Sequence, residues 1–293
     1  MFLGLAIPAL ATAARPLLAP ALILPLAIAL LRLDWQHLYD YARRPALVAV
    51  ATIWLLGVSP LLLWLALRGV PLPPALAQAL VLAAASSPVT MCATVSLIVG
   101  LDAALAVVVV VVTTALVPLT LPMLSLSLLG MNLDIGLGTF MARLSWLIGI
   151  PFAVALVARR LAGLDRLARN ARPLDAIAVI SLVIFAIAIM DGITAAGFER
   201  PGAVIGTLIA AFVANVALQV VGTLAFWRLG ARRALTIGLM TGNLNMGIIL
   251  VALADKADFD TVMFFALGQL PMYVLPALLG PLYRRAVRGE SAR

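Results

Sequence analysis

The chain is poor in most of the groups that aqueous chemistry relies on. Only 11% of its 293 residues are charged, and it has one His and one Cys. The single cysteine, Cys92, excludes an intrachain disulfide and any cysteine-cluster metal site. The single histidine, His37, stands outside the long apolar runs, which leaves no nucleophile–base pair for covalent catalysis. No phosphate-cradling glycine loop of the Walker type is present, so ATP-driven pumping has no foothold. Asp191 is the one acidic residue well inside an apolar run, too few for an intramembrane catalytic dyad, and the chain reads as no enzyme. Of its 20 basic residues only Lys256 is a lysine, a bias that points to a bacterial source.

Long apolar runs fill the space. Apolar residues make up 65% of the chain and the mean hydropathy is +1.17, more than one soluble core could hide beneath a polar surface. The fold class is therefore an all-α polytopic membrane protein. Stretches of about 20 apolar residues, the length that crosses a bilayer, fall at 17–33, 46–68, 76–100, 103–128, 138–158, 175–197, 203–227, 233–254 and 260–283. Residues 1–14 lack the positive start of a signal peptide and read as a short or truncated further helix, giving nine or ten spans.

The net charge of +8 needs no nucleic-acid partner, because no soluble segment is long enough to bind one. Basic residues gather instead in alternate loops: Arg32, Arg43 and Arg44; Arg159, Arg160, Arg166, Arg169 and Arg172; Arg228, Arg232 and Arg233; then Arg284, Arg285, Arg288 and Arg293. The positive-inside bias puts these loops and the C-terminus in the cytoplasm, and the protein in a cell (inner) membrane as a multi-pass chain. Asp34 to Arg44, with Trp35, Tyr39 and Tyr41, reads as an interfacial helix that includes His37 as a solvated side chain.

Two spans are interrupted by polar residues. The first carries Ser86, Ser87, Pro88, Thr90, Cys92 and Thr94, and the second Thr241, Gly242, Asn243, Asn245 and Gly247. The interruptions lie about 155 residues apart, close to the offsets between the spans starting near 17 and 175 and near 46 and 203. Constant spacing across an odd number of spans predicts two inverted five-helix repeats, about 1–130 and 137–285 of a single transporter domain, with two crossed broken helices. A helix breaks inside hydrocarbon only where protein or water satisfies its freed backbone groups. Pro88 removes a donor while Ser86, Ser87 and Thr90 offer hydroxyls. Gly242 is expected to permit an unwound backbone, and Gly247 the close approach of a neighbouring backbone. Crossing would bring two helix amino ends, each with about half a positive charge, onto one anion-binding spot. The alternative is a pair of kinked helices packed through Ser, Thr and Asn bonds. Thr113, Thr114, Asn215, Gln219, Thr223 and Gln269 are further polar residues within spans. Asp191 is the coupling candidate, since an intramembrane carboxylate is a functional hypothesis by default.

These motifs resemble the bile acid:sodium symporter family, within the bile acid, arsenite and auxin-type carrier superfamily. The likeness rests on the Pro-containing break at Ala85–Thr94, the segment from Gly100 to Ala106, Leu116 to Pro122, and above all Gly242-Asn243-Leu244-Asn245-Met246-Gly247. It implies a ten-helix fold with a core domain (spans 46–128 and 203–283) moving against a panel of the remaining spans, and organic-anion substrates commonly carried with sodium. The chain departs from the sodium-coupled pattern at five positions. Met240 stands where a Glu is usual, Cys92 and Ala93 where a Ser-Asn pair is, and Ala106 and Val110 replace hydroxyl positions. Since hard cations want several oxygen ligands, little sodium dependence is expected, and no metal or other cofactor is assigned.

The resulting expectation is a secondary active transporter of small organic anions working by alternating access. Its partners are that anion and the lipid bilayer; no oligomeric state is implied. The alternatives are a sodium- or proton-independent facilitator, an auxin-type efflux carrier, and a non-transporting membrane receptor.

Overall fold

The computed structural model describes residues 1–31, 45–129, 136–253 and 256–291. The expected interfacial helix at Asp34 to Arg44 lies outside these, as do Arg32 and Arg293. The described residues are nearly all helical, and their one element of extended pairing is an isolated bridge between Pro88 and Leu244.

Among the described residues seven helices are long and apolar enough to cross a membrane: Pro8–Leu31, Pro45–Leu67, Ala103–Leu129, Leu137–Ala162, Ala171–Glu199, Pro201–Ala225 and Phe259–Gly289. The two interrupted spans supply Pro74–Ala84 with Met91–Val99, and Ala231–Gly242 with Met246–Leu253. Proline opens several of these helices, at Pro8, Pro74 and Pro201, where its missing N–H costs nothing and its fixed φ is already helical. Gly100 closes Met91–Val99 at φ +83°, a left-handed conformation that a residue with a Cβ would adopt only under strain.

Three spans differ from expectation. Residues 8–14 form no separate helix; they continue through a tight turn at Arg15–Leu17 into Leu18–Leu31, and only Phe2–Ala6 stands apart. Pro8 explains the division, because the residue before a proline is pushed out of helical geometry, and Ile7 has φ −128° and ψ 81°. Ala171–Glu199 is interrupted at its far end, where Ala171–Ala188 gives way to a turn at Ile189–Gly192 with Gly192 at φ +77°. Trp54–Val58 is a π-turn that directly precedes Ser59-Pro60. Proline cannot donate to the carbonyl four residues back and its ring clashes there, and a wider turn relieves both problems.

Leu18–Leu31 packs against Leu137–Ala162 and against Ala171–Ala188, whereas Pro201–Ala225 lies closely along Ala231–Gly242. That second contact is made by glycine. A Cβ on Gly238 would stand 2.6 Å from the Gln219 carbonyl oxygen and one on Gly242 2.5 Å from that of Asn215, while Gly222 abuts Thr241. Small residues let membrane helices approach backbone to backbone, where packing replaces the missing hydrophobic drive. The opposite face of Pro201–Ala225 exposes Ile205, Ile209, Val213, Val216, Val220 and Leu224. A continuous apolar stripe of that kind suits lipid rather than water.

Arginines tie helix ends across the bundle. Arg159 Nη1 donates to the Leu31 carbonyl (2.9 Å) and Arg143 Nη1 to the Ala252 carbonyl (3.3 Å), each near a helix C-terminus whose last carbonyls lack intrahelical donors.

Candidate functional site

The two interruptions meet. The backbone N–H of Val89 donates to the Asn243 carbonyl (2.9 Å) and that of Asn245 to the Ser87 carbonyl (2.8 Å). Pro88 and Leu244 stand opposite one another between these bonds, antiparallel. They form the non-hydrogen-bonded type of pair, in which neither residue needs its own N–H for the partner strand. Proline therefore sits at a position where the lost donor leaves the bridge intact.

The remaining freed groups at the breaks are largely satisfied by protein. Ser86 Oγ donates to the Ala83 carbonyl (2.8 Å), and Asn243 Nδ2 to that of Leu239 (2.8 Å). Cys92 Sγ lies 3.7 Å from the Asn243 carbonyl, which already accepts from Val89. Asn215 Nδ2 donates to the Gly242 carbonyl (2.7 Å), Gln219 Nε2 donates to Asn215 Oδ1 (2.5 Å), and the Tyr283 hydroxyl donates to Gln219 Oε1. On the other side, Trp54 Nε1 donates to Thr241 Oγ1 (3.1 Å), whose hydroxyl donates to Ile237 (2.7 Å). At the breaks, two buried oxygens, Ser87 Oγ and Asn243 Oδ1, have no hydrogen-bond partner among the described residues.

Several expected roles change in this light. Gly242 does not unwind; it is the last helical residue, with no positive φ, and its missing side chain admits the Asn215 backbone. Gly247 faces side chains and no neighbouring backbone, since a Cβ there would meet Phe185 (2.8 Å) and Leu22 (3.1 Å). Ser86, Ser87, Cys92, Thr241 and Asn243 are buried, Thr90 and Asn245 half-buried, and Thr94 exposed. Thr94 is thus set apart from the cluster, one turn beyond Thr90 on a short helix. A cavity of about 20 Å³ beside Gly242, Leu244 and Met246 has room for about one water.

Asn215 and Gln219, legible only as polar residues within a span, prove to be the support of the second break. Their spacing of four places them on one helix face, a signal that existed in the sequence. Trp54 and Tyr283 gave none, because aromatic residues are equally at home in lipid-facing positions.

Asp191 lies away from the breaks. Thr12 Oγ1 donates to its Oδ1 (2.6 Å) and Arg15 Nη1 stands 3.4 Å from its Oδ2. Met240, Cys92, Ala106 and Val110 share one buried apolar cluster with Ile237, Leu239 and Val109, and Ala93 packs against it. Met240 and Ala106 are both 0% exposed. This donor-poor packing does not fit a hard cation, which needs several oxygens.

Seven apolar helices and two interrupted ones joined at their breaks define a multi-pass membrane transporter. Residues 19–197 match the family model described as Sodium Bile acid symporter family, and the chain belongs to that family. The match ends before the second break. No curated protein matches the chain.

Proposed function

We propose that the protein is a secondary carrier of small organic anions, in which the joined breaks form a rigid centre and the substrate binds where that centre faces Leu18–Leu31 and Ala171–Ala188. The backbone bridge between Ser87–Val89 and Asn243–Asn245 carries this reading. Irregular backbone at membrane depth is tolerated only when buried in protein or lining a cavity, and a lone structural kink would not need a matching one. Asn245 and Thr90, half-buried beside the bridge, are the polar groups available to a substrate. Gly247 touches Phe185 and Leu22, so the same half-helix borders the helices that would move as a panel.

The two interrupted spans and their flanking helices recur in the same order in both halves of the chain, which supports an inverted repeat and alternating access by rocking of panel against core. The Arg-rich ends favour a bacterial inner membrane with the C-terminus on the cytoplasmic side. The face bearing Arg15, Asp191 and Arg200 is then extracytoplasmic. With the sodium positions occupied by Met240, Cys92, Ala93, Ala106 and Val110, transport proceeds without sodium.

Proteoliposome uptake of labelled carboxylates, cholate among them, tests the site. Asn245→Ala, which keeps the backbone bond to Ser87, is expected to abolish uptake at normal membrane insertion. Unchanged uptake would remove the assignment.

A further inference from the structure

A cavity of about 520 Å³ is lined by Arg15, Asp191, Gly192, Leu250, Val251 and Phe259 among others. Its size is within the range of small-molecule sites. Leu250 lies four residues along the half-helix that starts at Met246, so the cavity begins about 6 Å from the second break at 1.5 Å per residue. Of the residues lining it, Arg15 and Asp191 are charged; Lys256 adjoins its rim at Ala257, and Arg200 pairs with Asp260 (3.0 Å) beside Phe259.

Both charged groups sit at turns near the extracytoplasmic ends of their spans, Arg15 at Arg15–Leu17 and Asp191 at Ile189–Gly192, next to long apolar runs where an ionisable side chain is costly and is retained for a task. Their bonds are unequal. Asp191 is oriented by the Thr12 hydroxyl at 2.6 Å, whereas the Arg15 contact is 3.4 Å, long for a charge-assisted bond. The Arg15 side chain is 58% exposed against 20% for Asp191. A long ion pair of this kind is one that a second carboxylate in the cavity can compete for, because a guanidinium fork matches a carboxylate, and Asp191 keeps its Thr12 partner meanwhile.

We propose that Arg15 is the anion-binding group of a substrate vestibule, and that Asp191 is a competing counter-ion which holds Arg15 until an organic carboxylate displaces it. The apolar walls at Leu250, Val251 and Phe259 take the hydrocarbon part of the ligand. Asp191 in turn draws Arg15 back and promotes release. This rests on the carrier reading and names a group that reading does not contain.

The test is thermal unfolding of the purified full-length protein with benzoate, hexanoate and cyclohexanecarboxylate, each beside its neutral amide. At least one carboxylate is expected to raise the midpoint while its amide does not. Arg15→Gln abolishes that shift, and Asp191→Asn lowers the concentration for half-maximal shift by about tenfold, an ordinary size for a removed coupling. The proposal is overturned if Arg15→Gln keeps the shift, if Asp191→Asn weakens binding as Arg15→Gln does (a merely structural pair), or if no carboxylate stabilises Asp191→Asn. Should Arg15→Gln fail to fold, Arg15→Lys is read instead; a weakened shift supports the proposal and an unchanged one overturns it. Asn245→Ala separates the two readings. Normal uptake in that variant with a shift lost in Arg15→Gln removes the site at the breaks and leaves the vestibule, and the reverse result removes the vestibule alone.

Discussion

The backbone N–H of Asn245 reaches the Ser87 carbonyl at 2.8 Å, so two residues far apart in the chain share one hydrogen bond at the centre of the protein. Its removal tests the centre without altering side-chain chemistry elsewhere. Asn245→Pro deletes this donor and leaves the buried Ser87 carbonyl without it, at a net cost of about 1–3 kcal/mol; Val89→Pro deletes the other and leaves the Asn243 carbonyl only the weak Cys92 thiol donor. Thermal unfolding in detergent is expected to show both variants destabilised well beyond Asn245→Ala, which retains the bond.

The close contact between Pro201–Ala225 and Ala231–Gly242 gives a second prediction. Gly238→Ala and Gly242→Ala push a methyl against the Gln219 and Asn215 carbonyls, and overpacking of this kind costs about 1–3 kcal/mol. Gly57→Ala, at a helical glycine with nothing within 4 Å, is expected to unfold at the wild-type midpoint. Equal midpoints for all three variants would show that the helices are not in contact.

The relay from Tyr283 through Gln219 and Asn215 to the Gly242 carbonyl supports the break from behind. Asn215→Leu leaves that carbonyl without its donor and is expected to cost about 1–3 kcal/mol, whereas Tyr283→Phe removes an outer bond worth about 1 kcal/mol. A double variant less destabilised than the sum of the two, measured by unfolding midpoints, is the signature of one network. Strict additivity would show the two ends to be independent.

The packing at Met240 gives a prediction about sodium. Uptake into proteoliposomes is expected to be the same in sodium and in choline medium. Met240→Glu buries a carboxylate among Ile237, Leu239 and Val110 and is expected to lower stability without creating sodium dependence, since one carboxylate supplies too few ligands. Uptake by the unaltered protein that stops in choline would defeat the prediction.

Much of this fold was legible in the chain. Runs of about 20 apolar residues locate spans because the bilayer has one thickness, and the polar interruptions at Ser86–Thr94 and Thr241–Gly247 mark helix breaks because hydrocarbon tolerates no unsatisfied backbone. Individual side-chain roles were less legible. Gly242 and Gly247 both read as backbone devices; one meets a backbone and the other a phenyl ring, and only the spacing of Gly242 four residues after Gly238 separates them in the sequence. The partners of Asp191 were missed because residues 1–14, which carry Thr12, were read apart from the span at 17–33, and Arg15 fell between the two.

The sequence by itself determined that the chain crosses a membrane many times and where two of its helices fail, since both are one-dimensional consequences of hydropathy and backbone bonding. Tertiary structure alone decided that the failures join through Ser87, Val89, Asn243 and Asn245, that Asn215 props the second from a neighbouring helix, and that the larger cavity lies with Arg15 and Asp191. Those relationships depend on which faces of distant helices meet, and although the Gly238-x-x-x-Gly242 spacing marks a close-packing face, it does not name the helix that meets it.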